Sequence, residues 1–202
     1  ETGTVSHDFH NIVTLSFEQQ QAFYEQELRN DDSDFIDHQD PGTTVAELLG
    51  IDGPLPPALE FLALEPLLRR GYRLLSSGEA RKALLAQALL QKPDLLILDE
   101  PFDSLDLQSK AQLTGFFQNL LQQGTTTLLF LLNTTEEVFP WHTHLALLDK
   151  GAIVATGTRE TMLADKAVMA LLQFDAASLP AWPAPLHDTP PVSPLVVLHK
   201  GH

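Results

Sequence analysis

Apolar residues recur along this chain in two rhythms, and the alternation between them predicts its elements. Ile12 to Phe17 is an apolar run of strand length, and the glutamine-rich stretch Glu18 to Leu28 after it reads as a helix. Thr43 to Leu49 opens a second helix, Gly53 to Pro57 breaks the chain, and Leu59 to Leu68 resumes a helical spacing. Ser77 to Leu90 is the strongest helix: Ser77 can cap its start, and Leu84, Leu85, Ala88 and Leu89 form one apolar face. Lys92-Pro93-Asp94 ends it. Leu95 to Leu98 is wholly apolar between turn residues and acids, the pattern of a strand buried on both faces.

The alternation then repeats. Leu107 to Gln123 is helical and stops at Gly124, a favourable C-terminal cap. Thr125 to Leu132 is a second buried strand, Leu145 to Leu148 and Ile153 to Ala155 form a hairpin about Asp149-Lys150-Gly151, and Arg159 to Phe174 is a last helix. Strands alternating with helices predict an α/β domain with a largely parallel sheet. Beyond Asp175 six prolines between Pro180 and Pro194 predict a stiff linker over 175–194, and Leu195 to Leu198 reads as a fresh strand. Between Asn30 and Asp40 lie five aspartates and few apolar residues. Asp32 and Asp34 are spaced like calcium ligands, but the Gly and distal Glu of an EF-hand loop are lacking, so a solvated loop is expected.

Composition narrows the partners. The formal net charge of −15 over 202 residues disfavours phosphate backbones and anionic lipid surfaces, so no nucleic-acid partner is expected. With no cysteine there is no disulfide framework and no thiolate metal site. No apolar run approaches the roughly 20 residues of a membrane span, and a cytoplasmic domain is expected. The start Glu1-Thr2-Gly3 is neither a methionine nor a signal peptide, so the chain is expected to begin inside a longer gene product.

Two segments carry chemistry. Leu75-Ser76-Ser77-Gly78-Glu79 precedes a helix, where small residues let backbone amides approach a phosphate and the helix dipole favours its charge. Alone, such a string is usually just a cap. Leu95 to Pro101 then places Asp99 and Glu100 at the carboxyl end of a buried strand, where open α/β sheets bind ligands. The first acid can hold a hydrated magnesium ion on nucleotide phosphates, and the second can orient a water for in-line attack on a γ-phosphate.

In order and spacing these segments, with Ser104-Leu105-Asp106 after them, resemble the ATP-binding-cassette (ABC) ATPases. The resemblance implies a P-loop-NTPase-like α/β fold with a helical subdomain over about 41–90. It also implies ATP and Mg²⁺ as ligands and a second cassette as partner. Ser76, Ser77, Gly78 and Glu79 fall on the signature that contacts a nucleotide held by that partner. Asp99 falls on the magnesium-associated Walker B acid, which acts through water, Glu100 on the catalytic base, and Ser104 and Asp106 on the D-loop.

Leu145 to Gly157 resembles a segment near the end of the cassette, so the partial cassette is expected over 1–174. The run Ile12 to Gln19, Ser-Ser-Gly-Glu-Ala-Arg-Lys, and asparagine at position 133 further resemble a tandem-cassette branch of the family associated with molybdenum transport. That likeness implies that 195–202 starts a second cassette. It also implies that membrane transporter subunits are possible partners, with a place at the cytoplasmic face of the inner membrane.

Three departures bear on activity. No glycine is followed by lysine, so the Walker A loop is absent from these residues. Truncation before that loop is the natural expectation, and a degenerate cassette serving as a non-catalytic regulatory or interaction domain is the alternative. Asn133 stands where the family usually has a switch histidine; it donates a hydrogen bond but carries no charge. His142 and His144 are spaced to share a strand face, an arrangement that can bind metal, but they lie past a further turn and a plain surface role is expected. Phe17 stands where the Q-loop glutamine is expected, with Gln19, Gln20 and Gln21 just downstream.

Overall fold

The computed structural model describes residues 8–30, 42–172 and 195–200. The aspartate-rich loop, the proline-rich linker and the chain start, as read above, lie wholly or almost wholly outside the described residues. Among the described residues no helix is long and apolar enough to cross a membrane.

The chain runs β1 (Ile12–Ser16), α1 (Phe17–Arg29), α2 (Val45–Leu49), three 3-10 turns, α3 (Ser77–Leu90), β2 (Leu95–Asp99), α4 (Leu107–Gln123) and β3 (Thr127–Leu132). A further 3-10 turn, β4 (His144–Asp149), β5 (Ala152–Thr158), α5 (Arg159–Ala164), α6 (Lys166–Leu172) and β6 (Leu195–Lys200) follow. One six-stranded sheet has the order β1-β2-β3-β6-β4-β5. Strands β1, β2 and β3 are parallel, with Ser16 beside Asp99 and Asp99 beside Leu131. Strand β6 runs antiparallel to both β3 and β4, and β4 to β5. The parallel half is therefore as the sequence predicts, and Leu195–Lys200 pairs within the same sheet.

Local chemistry explains where the elements begin. Ser16, Thr44 and Ser76 each accept a bond from the amide three residues on, and Gln19, Glu47 and Glu79 each accept one in return from the cap's own amide. These three capping boxes satisfy donors that a helix start would otherwise leave unpaired. The first moves the helix start to Phe17, one residue before the predicted Glu18; the third shows that Ser76, not Ser77, caps α3. The segment Leu59 to Leu68 does not form the expected helix. It makes 3-10 turns at Pro57–Leu62 and Glu65–Leu67, because Ala63 is left-handed (φ 53°) and Pro66 has no amide to donate. The last helix is likewise two, since Asp165 leaves the helical region (φ −77°, ψ 114°) and its carboxylate accepts from Ala167 N at 2.8 Å. Between β4 and β5 the turn residues Lys150 (φ 48°) and Gly151 (φ 78°) are both left-handed, the requirement of a two-residue hairpin turn.

The core lies between the sheet and helices α3 and α4. Leu96, Leu98, Leu128, Phe130 and Leu132 from the strands are fully buried against Leu85, Phe116 and Phe117. An aromatic cluster closes one side: Phe130 lies 5.0 Å from Phe117 and 5.5 Å from Trp141, and Phe139 stacks on Trp141 at 5.4 Å. His142 belongs to it. Only 2 % exposed, it accepts the Phe139 amide on Nδ1 at 3.1 Å, which corrects the surface role expected of it.

Candidate functional site

Because β1, β2 and β3 are parallel and in register, the residues that follow them gather at one edge of the sheet. Gln20 follows β1, Glu100 follows β2, and Asn133 follows β3. The α3 start, with Ser76, Ser77, Gly78 and Glu79, approaches the same rim. Gly78 sits so close to α4 that a Cβ there would lie 3.0 Å from Ser109 Oγ.

Asp99 is the last residue of β2, and its carboxyl is raised above the ordinary 3.8 by burial and then by Glu18. Glu100 turns sharply off the strand at φ 48°. Its amide donates to Leu131 O at 3.0 Å, its carbonyl accepts from Asp103 N at 3.1 Å, and its Oε1 accepts from the Asn133 amide. Burial, then Asp99, Asp103 and Glu137, hold the Glu100 carboxyl above 4.5, with Arg81 opposing. Negative charge is thus concentrated at the rim and only partly offset. Among the described residues no group of three or more His, Asp or Glu is arranged to enclose an ion. Such a donor set fits Mg²⁺ carried mainly by phosphate oxygens and water with one or two carboxylates alongside, the coordination this ion prefers.

The other predicted residues have defined local tasks. Ser76 accepts from Glu79 N at 3.3 Å and Glu79 accepts from Ser76 N at 2.8 Å. That backbone bond, above all, keeps Glu79 below 4.5, and Arg70 lies 3.6 Å from its carboxylate. Asp106 caps α4, accepting from Ser109 N at 2.9 Å and Ser109 Oγ at 2.7 Å, and these bonds lower its pKa. Ser104 is left-handed (φ 56°) and donates to Asp103 Oδ2 at 2.9 Å. Beside Asp106, Leu107 is 87 % exposed.

Of the three glutamines after β1, the structure distinguishes one. Gln19 is spent on the capping box, Gln21 bonds Glu25 at 3.2 Å, and Gln20 is buried at the site, donating to Ser77 O at 3.2 Å. Sequence reasoning passed over Arg81, which is 5 % exposed and donates to Gln20, to Pro101 O and to Asp103 O. The available signal was its phase: position 81 lies three and four residues before Leu84 and Leu85, on the apolar face of the helix.

The ABC transporter family profile matches residues 1–103. The chain is 36 % identical over 204 aligned residues to the ABC transporter ATP-binding protein ModF of Escherichia coli, covering 96 % of this chain and 41 % of that one. It is 38 % identical to the molybdenum import ATP-binding protein ModC of Vibrio cholerae, covering 58 % of this chain and 32 % of the relative. The chain therefore spans well under half the length of these curated relatives. Among solved structures, MJ1267, an ATP-binding cassette of an ABC transporter, matches with a TM-score of 0.58 at 20 % identity, covering 80 % of this chain and 68 % of that one. At that identity the likeness establishes the fold.

Proposed function

Because the chain belongs to the ABC transporter family, we propose that it is the signature, Walker B and D-loop portion of an ATP-binding and ATP-hydrolysing cassette, related in role to the molybdenum-associated ModF and ModC. The observation that carries this reading is the Asp99–Glu100 pair at the carboxyl edge of the parallel strands. Both carboxyls are raised by burial, and Glu100 is swung off the strand. A carboxylate with a raised pKa is a better base than an ordinary one, and Glu100 takes the role of orienting a water and accepting its proton. Asn133 holds one Glu100 oxygen and leaves the other for the water. Asp99 stands beside it to contact, through water, the Mg²⁺ that neutralises charge on the nucleotide phosphates.

Ser76, Ser77 and Gly78 lie at the opening of a 14-residue helix and serve a nucleotide held by a second cassette. Asp106 and exposed Leu107 supply part of the rim that meets it. Holding the chain's own nucleotide calls for a glycine-rich phosphate loop, and none of these residues carries Gly-Lys.

The test is Glu100→Gln in the whole protein. Turnover is expected to fall by at least about 100-fold while ATP binding persists; undiminished hydrolysis overturns the assignment. Asn133 favours a second reading, a regulatory cassette without chemistry, because a neutral amide replaces a titratable switch. Failure of the wild-type whole protein to hydrolyse ATP while still binding it supports that reading instead.

A further inference from the structure

We propose that Arg81 is a positioning residue that couples the signature end of α3 to Glu100 and holds that carboxylate where turnover requires it. The inference rests on the catalytic reading of Glu100 given above. Arg81 is a charged residue buried inside an apolar helix face, and its guanidinium bonds both the loop after β2 and Gln20 on α1. Nη1 donates to the carbonyl oxygens of Pro101 and Asp103, each at 2.8 Å, and reaches that of Glu100 at 3.4 Å. Nε donates to Gln20 Oε1 at 3.1 Å, and Gln20 Nε2 donates to Ser77 O at 3.2 Å. The hydrogen bonds therefore run in an unbroken chain from Ser77 in the signature, through Gln20 and Arg81, to the backbone that carries Glu100.

That backbone needs holding. Glu100 (φ 48°) and Ser104 (φ 56°) are both left-handed without being glycine. Each costs on the order of 1–2 kcal/mol and persists only where surrounding contacts over-determine it. Three carbonyl oxygens turned toward one guanidinium supply that determination. Its planar fork can serve Gln20 on one side and the carbonyls on another, which the single nitrogen of a lysine cannot do. Burial works against the charge of this cation, and Asp103, Tyr72, Glu100 and Glu137 act to keep it. A cation is thus retained in a costly place, where it bonds Gln20 and the carbonyl oxygens of the loop that carries Glu100. Movement of the signature end on engaging a nucleotide passes through the same bonds to Glu100, so the two half-sites of one chain are mechanically joined.

The experiment compares Arg81→Met, Arg81→Lys and Glu100→Gln, singly and combined, in the whole protein. The measurements are steady-state ATPase kinetics, ATP affinity and thermal melting. A carboxylate displaced by about 1 Å loses on the order of 100-fold in rate. Arg81→Met is therefore expected to lower kcat by about 10- to 100-fold with KM and ATP affinity within about twofold. Arg81→Lys, which keeps the charge but not the fork, is expected to restore less than about threefold of that loss. Added to Glu100→Gln, Arg81→Met is expected to cost nothing further, because both act on one group. If Arg81→Met does not fold, Arg81→Lys carries the same comparison. Wild-type kcat in a folded Arg81 variant, or losses that multiply those of Glu100→Gln, overturn the inference. Wild-type turnover in Glu100→Gln instead removes the catalytic reading beneath it.

Discussion

Glu100 carries a conformational cost that can be measured apart from its chemistry. At φ 48° its Cβ crowds the following carbonyl oxygen, a penalty of about 1–2 kcal/mol for any residue but glycine. Glycine removes the penalty and gives back about 0.5–1 kcal/mol through the greater freedom of the unfolded chain. In an Asn133→Ala background, where neither variant can make the Asn133 bond, Glu100→Gly is therefore expected to be about 0.5–1 kcal/mol more stable than Glu100→Gln, which keeps the strain but not the charge. For a domain of this size that is a melting difference of about 1–4 °C.

The charge adds a second, pH-dependent difference. The folded-state pKa of Glu100 is raised above 4.5, chiefly by burial, so the folded chain holds its proton more tightly than the unfolded one. Stability is then lost as pH rises through that window, and wild type should melt below Glu100→Gln at pH 7 but converge with it below pH 4.5. Thermal denaturation of these chains at pH 4 and pH 7 separates the two effects. In the Asn133→Ala background, a glycine variant that melts at or below the glutamine one at both pH values refutes the strain argument, whatever happens to hydrolysis.

Two further substitutions test the site's supports. Gly78→Ala gains about 1 kcal/mol of helix propensity but drives a Cβ to 3.0 Å from Ser109 Oγ, which Asp106 pins; overpacking of about 1–3 kcal/mol should dominate. Urea melts should show a net loss of about 1 kcal/mol that shrinks when Gly78→Ala is made in a Ser109→Ala background, and an unchanged midpoint in the single variant contradicts this packing. Asp94, lowered below 3.8 by the amides of His10 and Asn11 at 3.0 and 3.1 Å, stabilises the fold above pH 3.8 and less as pH falls through its folded value. Asp94→Asn should accordingly be less stable at pH 7, the gap closing on acidification; a gap constant with pH shows that these bonds do not depend on the charge.

What the sequence revealed here depended on how local each feature's cause is. The bounds of α3 and α4 and the two central parallel strands were legible, because periodicity, Gly124 and the Lys92-Pro93-Asp94 stop all act within a few residues. The α3 cap was misplaced by one although the signal was present: Glu79 stands three residues after Ser76, and that reciprocal pair decides between two adjacent serines. Leu59 to Leu68 was misread because leucine spacing does not distinguish a helix from successive 3-10 turns when Ala63 turns left-handed. Asp99 and Glu100 could be found from their strand end. The choice of Gln20 over its neighbours could not, since its partner Arg81 stands 61 positions away and the phase of α3 marks Arg81 as buried without naming what it bonds. The pairing of Leu195–Lys200 between β3 and β4 is longer-range still, and nothing local in those six residues announces it.

The aromatic cluster also gives the molecule an optical readout. The chain has two tryptophans, Trp141 and Trp182, and Trp182 lies outside the described residues. Trp141 stacks on Phe139 and lies 4.1 Å from the ring of His142, and Phe139 in turn lies 5.4 Å from Phe102, two residues beyond Glu100. Indole emission is sensitive to just such neighbours, above all to an imidazole within quenching distance. With Trp182 replaced by phenylalanine, the fluorescence of this chain reports directly on whether the segments after β2 and β3 move as one body.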